Sequence, residues 1–552
     1  MRRQPSLLSS SRFDVLVVGG GIHGLTIAYD SARRGLSVAL IDRNDLGAAS
    51  SFNHAKTVHG GLRSLQTGDL GKARFSVIER RAMARIAPHL VTPLPFMVAT
   101  MRTPTRSRLA LRAGFTLDAL VGFDRNAGIP DGLRLPAGRL VSLSEYGRAY
   151  GPHAQPRATG GARWYDYQMP ESDRLTLAFA RAADQAGALL ANYVEATTPL
   201  VAGGRVRGVA ALDLESGKHL EIAARLTVNA AGAFARPWAR ALGGTLDYPL
   251  IKAMNVVTSR PAGHLALGAP TGDGRLLLLI PWKGRAMLGT SHSDAPVEPG
   301  ASEVSADELV RFLDEANQAF PGLGLASVDV TLVHRGIVPA VRDRRGRLGL
   351  MAHHRIHDHG RDGVEGAVSV IGVKYTTARG VAERVVDLVQ AKLGRAVSAC
   401  RTAADRLPAW EFESLPAEIA RAHSATTGLL QPELAAALVG THGTAWRDVV
   451  DLCRRDPALA APLGTSTVMR AVVVHAVRFE MARTLADVVV RRTGLGSAGY
   501  PGDDVTAECA RLSAAELGWD EARIRREIDA VREFYAPVRQ PSQHTDHTGH
   551  PG

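Results

Sequence analysis

The stretch from Phe13 to Asp42, FDVLVVGGGIHGLTIAYDSARRGLSVALID, decides the fold of this 552-residue chain. It opens with a short apolar run, Val15 to Val18, rich in β-branched residues and typical of a buried strand. Gly19, Gly21 and Gly24 follow in the spacing G-x-G-x-x-G, and the next residues have helical periodicity. A strand, a glycine turn and a helix in this order indicate a nucleotide-binding unit of the Rossmann type.

The same stretch predicts dinucleotide binding, because each part has a physical task. Gly19 permits the tight turn, Gly21 lets the backbone approach a pyrophosphate, and Gly24 lets the helix pack on the strand. The helix N-terminus offers free N–H groups and a partial positive charge to the phosphates. The second strand, Ser37 to Ile41, ends on Asp42, whose carboxylate suits ribose hydroxyls and favours FAD or NAD over NADP. The motif leaves the choice between FAD and NAD open.

Length and charge predict a large globular protein that does not bind nucleic acid. A chain of 552 residues forms several domains rather than one core. Its net charge of +12 comes mostly from arginine, and no nucleic-acid motif or aromatic-interleaved basic cluster accompanies it. The 3 cysteines lie far apart without C-x-x-C spacing, which favours a reducing cytoplasm.

Membrane and metal signals are weak. The N-terminus lacks the apolar core of a secretory signal, and the longest strongly apolar run, Leu276 to Ile280, is too short to span a bilayer. Any membrane contact is therefore expected to be peripheral. Three histidines near the C-terminus, His544, His547 and His550, fall in a stretch expected to be disordered, and we expect no metal site there.

Periodicity along the chain predicts an α/β first part and a helical last part. Helices are expected over 72–90, 306–318 and 382–393 and in a stretch from Glu171, with strands over 206–212, 219–228, 249–294 and 367–372. The stretch from 91 to about 160 gives no clear pattern and is assigned to a cap over the substrate. Beyond about Arg401 the sequence becomes helix-rich, which indicates a separate C-terminal domain.

A series of short motifs accompanies the glycine turn and identifies a family. The series comprises Ser50-Ser51 with Lys56, HGGLR at 59–63, APHL at 87–90, VNAAG at 228–232, LIK at 250–252, IPW at 280–282, GTS at 289–291, KYTT at 374–377 and HAVRFEMARTLADVVVRRT at 475–493. Together they resemble the FAD-dependent glycerol-3-phosphate dehydrogenases of the aerobic, membrane-peripheral type, over nearly the whole chain. HGGLR is a sharper signal than any glycine turn.

The resemblance implies an α/β fold with a discontinuous Rossmann-like FAD-binding domain of the glutathione-reductase type. A β-rich substrate domain is inserted into it and an all-α domain follows at the C-terminus. The expected boundaries are an N-terminal tail at 1–11, the FAD-binding domain at 12–90, 165–245 and 330–400, the substrate or cap domain at 91–164 and 246–329, the helical domain at 401–539 and a disordered tail at 540–552.

The resemblance also implies FAD as the cofactor and a set of site residues. Residues expected to hold FAD are Gly19, Gly21, Ile22, His23, Gly24, Asp42, Arg43, Ser50, Ser51, Lys56, His59, Gly60, Gly61, Ala231, Gly232, Gly372, Lys374, Tyr375 and Thr376. Residues expected to contact the substrate or take part in the chemistry are His59, Arg63, Thr290, Lys374 and Asn255. His59 is either the proton acceptor or a structural histidine beside the flavin.

The chain departs from the family pattern at several substrate positions. Ser64 stands where the family has tyrosine after HGGLR, Asn255 where it has histidine, and His292 where it has an acid. Val338 stands where the family has arginine in a G-V-R-P segment. Arg335 and Arg342 flank that position, but strand alternation predicts that Arg335 and Val338 lie on opposite faces.

The leading expectation is oxidation of the C2 hydroxyl of sn-glycerol 3-phosphate to dihydroxyacetone phosphate, with hydride transfer to flavin and electrons passed to a quinone. The departures keep a second hypothesis open, in which the substrate is another phosphorylated polyol, a hydroxy acid or an amine. A third is a non-catalytic flavoprotein that binds a partner. The expected partners are a small, phosphorylated substrate, a quinone and a second copy in a homodimer. The expected location is the cytoplasm, at the inner face of the plasma membrane.

Overall fold

The structure is a computed structural model that describes residues 1–244, 246–344 and 346–536. Two large sheets and a C-terminal group of helices make up this part of the chain. The expected disordered tail at 540–552 lies outside the described residues.

The first sheet is mainly parallel and carries the glycine turn. Its strands are β1 (Arg12–Val18), β2 (Val38–Ile41), β7 (Leu189–Ala191), β8 (Val194–Ala202), β9 (Arg205–Asp213), β10 (His219–Asn229), β17 (Arg355–Asp358) and β18 (Ala367–Ile371). Their order is β17-β18-β10-β1-β2-β7, and β9 and β8 extend antiparallel from β10. Strand β1 is parallel to both neighbours, with Val15 in register with Leu226 and Val38. The carboxyl ends of these strands meet at one edge, where ligands bind in open α/β sheets.

Helices cover both faces of this sheet because its strands are apolar on both sides. On one face, α2 (Ile22–Arg33), α7 (Ser172–Gln185) and α10 (Ala378–Lys392) enclose a core that includes Val17 and Val228. On the other face, α1 (Pro5–Ser10) and α8 (Ala235–Arg240) supply core residues.

The second sheet is almost entirely antiparallel. Its strands are β3 (Thr57–Val58), β4 (Thr92–Thr100), β5 (Arg139–Val141), β6 (Gly160–Gln168), β11 (Leu250–Thr258), β12 (Ala266–Pro270), β13 (Leu276–Trp282), β14 (Arg285–His292), β15 (Val330–Arg342) and β16 (Leu348–Leu350). Their order is β16-β15-β11-β14-β13-β12-β4-β6-β3, with β5 paired to β6, and only β4 and β12 run parallel. One face packs against helices that precede residue 400, and the other packs against the C-terminal helices and against Phe52 of the loop that follows β2.

The remaining helices connect or follow the two sheets. Those before residue 400 are α3 (Leu62–Leu65), α4 (Leu70–Ile86), α5 (Arg108–Val121), α6 (Leu143–Tyr150) and α9 (Ala306–Ala319). The C-terminal group comprises α11 (Leu415–Ala425), α12 (Pro432–His442), α13 (Trp446–Arg455), α14 (Arg470–Glu480), α15 (Asp503–Leu517) and α16 (Glu521–Tyr535), with a π-helical segment at Asp487–Arg492. The expected α/β class with an appended helical part is confirmed.

Two expected boundaries differ from the observed sheets. The range 330–400 was expected with the cofactor domain, but β15 pairs with β11 along its length and belongs to the second sheet. Strand β3, expected in the range 12–90 of the cofactor domain, pairs with β6 and also joins the second sheet. An apolar run gives no signal of which sheet it joins, because pairing is decided by partners distant in sequence.

The first eleven residues, expected as a tail, are packed against the molecule. Leu8 of α1 is fully buried, and the amino group of Met1 donates to the carbonyl of Phe479 at 3.0 Å. The Arg3 side chain donates to the carbonyl of Asn192 at 2.9 Å. This segment therefore joins the first sheet to the helical part, and no periodicity in so short a stretch predicted it.

Among the described residues, no helix combines the length and the apolar character needed to cross a bilayer.

Candidate functional site

The glycine turn lies between the ends of β1 and β10 and the start of α2. Gly19 has a φ of 109°, and a Cβ there would collide with the backbone of Ala230 at the end of β10. A Cβ on Gly24 would collide with the carbonyl oxygen of Gly19. Both positions therefore require glycine, because the backbones of the turn and helix are too close for a side chain.

The N-terminus of α2 presents donors to the space above the turn. Its N-cap is Gly21, which has no side chain to satisfy them, and the first N–H to bond back along the helix is that of Leu25. The N–H of Ile22 donates to Ser51 Oγ at 2.9 Å. The N–H groups of His23 and Gly24 are left for a ligand, as in anion sites at helix N-termini.

Asp42 is held at the end of β2 by backbone donors. Its carboxylate accepts from the N–H of Gly20 at 2.6 Å and from that of Asn44 at 2.7 Å. Burial raises the pKa of Asp42 to about 6, so the carboxylate is ionised at neutral pH and accepts hydrogen bonds. The next residue, Arg43, points toward Glu195 at 3.5 Å and lies over the Phe234 ring.

The loop after β2 connects the turn to the second sheet. Ser50 Oγ donates to the carbonyl of Ile337 in β15 at 2.9 Å, while the neighbouring Ser51 contacts α2. Lys56 is 1% exposed, and its ammonium donates to the carbonyl of Phe52 at 2.6 Å. Burial lowers the pKa of Lys56 to about 8. Lys56 therefore fixes this loop from inside rather than reaching into open space.

His59 belongs to a hydrogen-bond network that extends beyond the HGGLR motif. Its Nδ1 lies 3.2 Å from Asp166 Oδ2, and its Nε2 lies 2.7 Å from Thr57 Oγ1. Asp166 also accepts from the N–H of Gly60 at 2.7 Å and from the guanidinium of Arg80. Burial would raise the pKa of Asp166, but the Arg80 charge and the bonds from His59 and Gly60 hold it below its ordinary value. A permanent carboxylate therefore orients the imidazole, whose side chain is 42% exposed.

Two cations without carboxylate partners lie near this network. Neither Arg63 nor Lys374 forms an ion pair with any described residue. Burial, followed by the charges of Lys72 and Arg63, lowers the pKa of Lys374 to about 8. Cations placed together and left unpaired are costly unless an anion joins them.

The remaining residues of the KYTT segment form the floor of the site. Thr376 Oγ1 accepts from the N–H of His59 at 3.2 Å, and the Tyr375 hydroxyl lies 2.9 Å from Thr176 Oγ1. A Cβ on Gly372 would collide with the ring of His23. Within the described part of the chain, His23 Nε2 is buried without a hydrogen-bond partner, and burial lowers the pKa of His23 to about 4. This orphaned nitrogen lies beside the glycine turn, where a bound group would supply its partner.

The second sheet forms the opposite wall. Thr290 Oγ1 donates to Asn255 Oδ1 at 2.8 Å, and Asn255 is 2% exposed. His292, two residues further on, has its pKa lowered to about 4 by burial and then by the charges of Arg275 and Arg63. Arg63 therefore lies across the site from the Thr290 segment.

Arg335 and Arg342 flank Val338 in the sequence, but neither reaches this wall. Val338 lies on the same face of β15 as Gly336, where a Cβ on Gly336 would lie against Ser50 Oγ. Arg335, which is opposite Met254 in β11, lies on the other face. Arg342 is exposed near the end of β15 and donates to the carbonyl of Gly346 at 2.9 Å. Neither arginine takes the place that Val338 leaves without a cation.

The expected site residues lie around one region between the two sheets, except that the Lys56 side chain is buried inside its own loop and Arg43 points toward Glu195. Gly61 has a φ of 82° and begins α3, and Ser64 in that helix is buried. Ala231 and Gly232 begin a short 3-10 turn at the end of β10, beside Gly19. Sequence reasoning missed Asp166, Arg80 and Lys72. An aspartate inside the aromatic strand WYDYQ was the one available signal for Asp166.

Two family models match the chain. One, described as FAD dependent oxidoreductase, matches residues 14–388, and the other, described as C-terminal domain of alpha-glycerophosphate oxidase, matches residues 400–524. The first covers both sheets and the second covers most of the C-terminal helices.

Curated relatives align over nearly the full length. A glycerol-3-phosphate dehydrogenase of Synechocystis is 28% identical, covering 97% of this chain and 98% of that protein. Glycerol-3-phosphate dehydrogenase 1 of Mycobacterium tuberculosis is 32% identical, covering 89% of this chain and 93% of that protein.

Among solved structures, the glycerol-3-phosphate dehydrogenase from Bacillus halodurans complexed with FAD has a similar fold. It superposes with a TM-score of 0.77 at 23% identity and covers 97% of each chain. The arrangement of two sheets and a helical C-terminal part is thus shared across the whole chain.

Proposed function

Because the chain belongs to the family of FAD-dependent glycerol-3-phosphate dehydrogenases, we propose that it oxidises the C2 hydroxyl of sn-glycerol 3-phosphate to dihydroxyacetone phosphate. The observation that carries the proposal is the pair of unpaired cations, Arg63 and Lys374, opposite the polar wall at Thr290. The two curated relatives, which align over 97% and 89% of this chain, are named as glycerol-3-phosphate dehydrogenases.

FAD is the cofactor of this family, and the residues of this chain fit it. The free donors of α2 suit a pyrophosphate, Asp42 suits ribose hydroxyls, and the orphaned His23 Nε2 marks space for a polar ligand. We assign the loop from Ser50 and the segment from Gly372 to Thr376 to the same cofactor. When bound, FAD supplies a two-electron acceptor for the hydride of a secondary alcohol.

Arg63 and Lys374 would bind the phosphate of the substrate. An arginine presents a planar fork to phosphate oxygens, and a partly buried ammonium adds a second charge. Burial, followed by repulsion from Lys72 and Arg63, lowers the pKa of Lys374, and a bound dianion would offset both effects by stabilising the ammonium. Lys72, whose charge also acts on Lys374, adds to the same positive field.

Two groups would act on the reacting hydroxyl. His59 is oriented by Asp166 through Nδ1, and we assign it as the acceptor of the hydroxyl proton. Thr290 lies on the facing wall, where its hydroxyl is oriented by Asn255 and would position the substrate oxygen.

A second candidate substrate follows from Val338. The wall that faces the loop between β2 and β3, residues 42–56 and here called the cofactor loop, carries an aliphatic residue where the family has a cation. Neither Arg335 nor Arg342 replaces that cation. Losing one charge-assisted phosphate contact costs about 2 kcal/mol, roughly a thirtyfold loss of affinity. Another phosphorylated polyol, a hydroxy acid or an amine would depend less on that contact.

One experiment separates the candidates. The purified yellow protein is mixed anaerobically with glycerol 3-phosphate, glycerol, a hydroxy acid and an amino acid, and the flavin absorption band is followed. We expect glycerol 3-phosphate to bleach the flavin fastest. Bleaching by the hydroxy acid or amino acid alone would favour the second candidate, and no bleaching at millimolar substrate would reject catalysis on this panel.

A quinone at the membrane surface is the proposed electron acceptor. The net charge of +12 favours contact with anionic lipid, since basic surfaces bind it electrostatically. The reduced protein should be reoxidised faster by a quinone analogue than by dissolved oxygen. Faster reoxidation by oxygen would instead identify an oxidase.

A further inference from the structure

Three side chains outside the cofactor site bring metal-ligating atoms together at the end of β17. His357 Nε2 lies 2.6 Å from Asp362 Oδ2, and His359 Nδ1 lies 3.3 Å from the same oxygen. All three ligand atoms lie within 4.8 Å of one another, and the two imidazole planes are 80° apart. Ligand atoms around a tetrahedral Zn²⁺ are separated by about 3.4 Å, since each lies about 2.1 Å from the ion. The group therefore needs little movement to enclose one cation.

His359 is oriented like a metal ligand. It is fully buried, its Nδ1 has no partner in hydrogen-bond geometry, and its Nε2 lies 2.8 Å from Ser369 Oγ. Ser369 in turn accepts from the Asn229 side chain at 2.9 Å. In the tautomer whose Nε2 donates to Ser369 Oγ, His359 presents a free lone pair on Nδ1, which is the usual outer-shell arrangement of metal-bound histidine.

Space in front of His359 Nδ1 and Asp362 Oδ2 is kept open by Gly244. A Cβ there would lie 2.9 Å from both His359 Nδ1 and Asp362 Oδ2. Both atoms therefore face one small cavity that any side chain at 244 would fill. The side chains of His357 and Asp362 are each 26% exposed, so water can reach the remaining coordination position.

The surroundings are acidic. Asp358 and Glu365 lie beside this group, and both contact Lys392, at 2.8 and 2.9 Å. With Asp362 these are three carboxylates, against the ammonium of Lys392 and the guanidinium of Arg361, whose charge also acts on Asp358. The local field therefore favours a cation.

A second group of two histidines and one carboxylate among the described residues does not lie in a field that favours a cation. His442, His475 and Glu480 are all buried, but Glu480 accepts two hydrogen bonds of 2.8 Å from Arg174. Arg181 lies 3.8 Å from the same carboxylate. Two guanidiniums already neutralise that glutamate and would repel a metal ion.

We propose that His357, His359 and Asp362 bind one divalent transition-metal ion, with Zn²⁺ the best match to two imidazoles and a carboxylate. Strand β17 is the edge strand of the first sheet, and β18 and β10 lie between it and β1, so this site is two strands away from the strand that leads into the glycine turn. The ion would join the edge strand to the 3-10 turn at His359–Asp362 and would have no part in electron transfer.

The test uses the full chain with FAD bound, treated with a chelator and then desalted. Zn²⁺ is titrated by calorimetry, and Co²⁺ is titrated while absorption is recorded at wavelengths beyond the oxidised flavin band. We expect one site per chain and the intense visible bands of tetrahedral Co²⁺. D362N and H357Q should each weaken Zn²⁺ at least tenfold, and G244A should do so without altering a ligand, because outer-shell changes alone cost about 10- to 100-fold.

A matched control separates this site from the histidines near the C-terminus. H544N/H547N/H550N should leave the affinity and the Co²⁺ spectrum unchanged. Loss of binding in that variant, equal affinity in D362N and H357Q, or no binding by the unaltered chain would each overturn the proposal. Flavin absorption, which should be the same in all variants, verifies that each one is folded.

Discussion

Arg492 donates to both carboxylate oxygens of Asp45, with 2.8 Å between Nη1 and Oδ2 and 2.7 Å between Nη2 and Oδ1. Asp45 lies three residues beyond Asp42 in the cofactor loop, whereas Arg492 ends the π-helical segment of the C-terminal part. Arg491 also donates to Asp45, at 2.7 Å, and all three side chains are buried. The helical part is therefore fixed to the loop that carries the expected ribose ligand.

We predict that D45N lowers the stability of the protein and weakens its binding of FAD. The change leaves the buried guanidinium of Arg492 without its carboxylate and Arg491 with Asp487 alone, and breaking a buried pair in this way costs about 3–5 kcal/mol. Thermal unfolding followed by flavin fluorescence should show a lower Tm with earlier release of FAD. D451N removes an exposed pair with Arg454 and should change little.

The effect of D45N should depend on pH. Burial would raise the pKa of Asp45, but Arg492 and Arg491 hold it below its ordinary value. Stability from such a carboxylate is fully present above the unfolded pKa of about 3.9 and is lost as pH falls through the lower folded value. The difference in Tm between the two proteins should therefore shrink below about pH 4. A constant difference would argue against the ion pair as its cause.

Substrate affinity should depend on the charge of Lys374. Burial and neighbouring cations lower its pKa to about 8, so the ammonium is lost as pH rises through that value. The substrate phosphate is already a dianion there, because its second pKa is about 6. We predict that KM for glycerol 3-phosphate is flat between about pH 7 and pH 8, where the phosphate is a dianion and Lys374 is protonated, and rises above pH 8.

Two substitutions test that assignment. K374R should flatten the KM profile, because a guanidinium stays protonated, and K374M should raise KM by about 100-fold at neutral pH. An unchanged profile in K374R would show that another group titrates.

His59 should control the chemical step. We predict that H59N lowers the limiting rate of flavin reduction by about 100-fold or more, the usual contribution of a general base, with little change in KM. D166N, which removes the carboxylate that orients the imidazole, should lower the same rate less. If H59N changes the flavin spectrum but leaves the rate intact, His59 has only a structural role.

Gly24 should be essential for the cofactor unit. A side chain there collides with the carbonyl of Gly19, so G24A should yield protein with little or no FAD. G114A lies in α5, where a Cβ meets nothing, and should retain full absorption at the flavin band. Equal FAD content in both variants would contradict the close packing of turn and helix.

V338R should improve recognition of a phosphorylated substrate. Val338 lies on the face of β15 that meets the cofactor loop, and a cation there adds a charge-assisted contact, so we expect KM to fall by about tenfold. V328R places the same charge at an exposed position and controls for the general field. KM is measured for both variants by stopped-flow flavin reduction. An equal change of KM in V338R and V328R would show that the charge added at 338 does not contact the substrate.

The sequence by itself determined the cofactor unit and the family. The turn at Gly19 to Gly24 and the acid at Asp42 can be predicted from the local sequence, because a strand, a tight turn and a helix N-terminus are built from consecutive residues. The HGGLR and KYTT motifs indicated the family by resemblance, and with it the other segments expected in the site. The expected FAD cofactor and the α/β class with a helical C-terminal part were both confirmed.

Only the tertiary structure decided which distant residues meet. The pairing of β15 with β11, the orientation of His59 by Asp166 and the bond between Arg492 and Asp45 join residues that lie from 72 to 447 positions apart. No local pattern specifies such partners, since they are fixed by how sheets and helices pack. The charges of Arg63 and Lys374 were visible in the sequence, but their nearness and their lack of carboxylate partners were not.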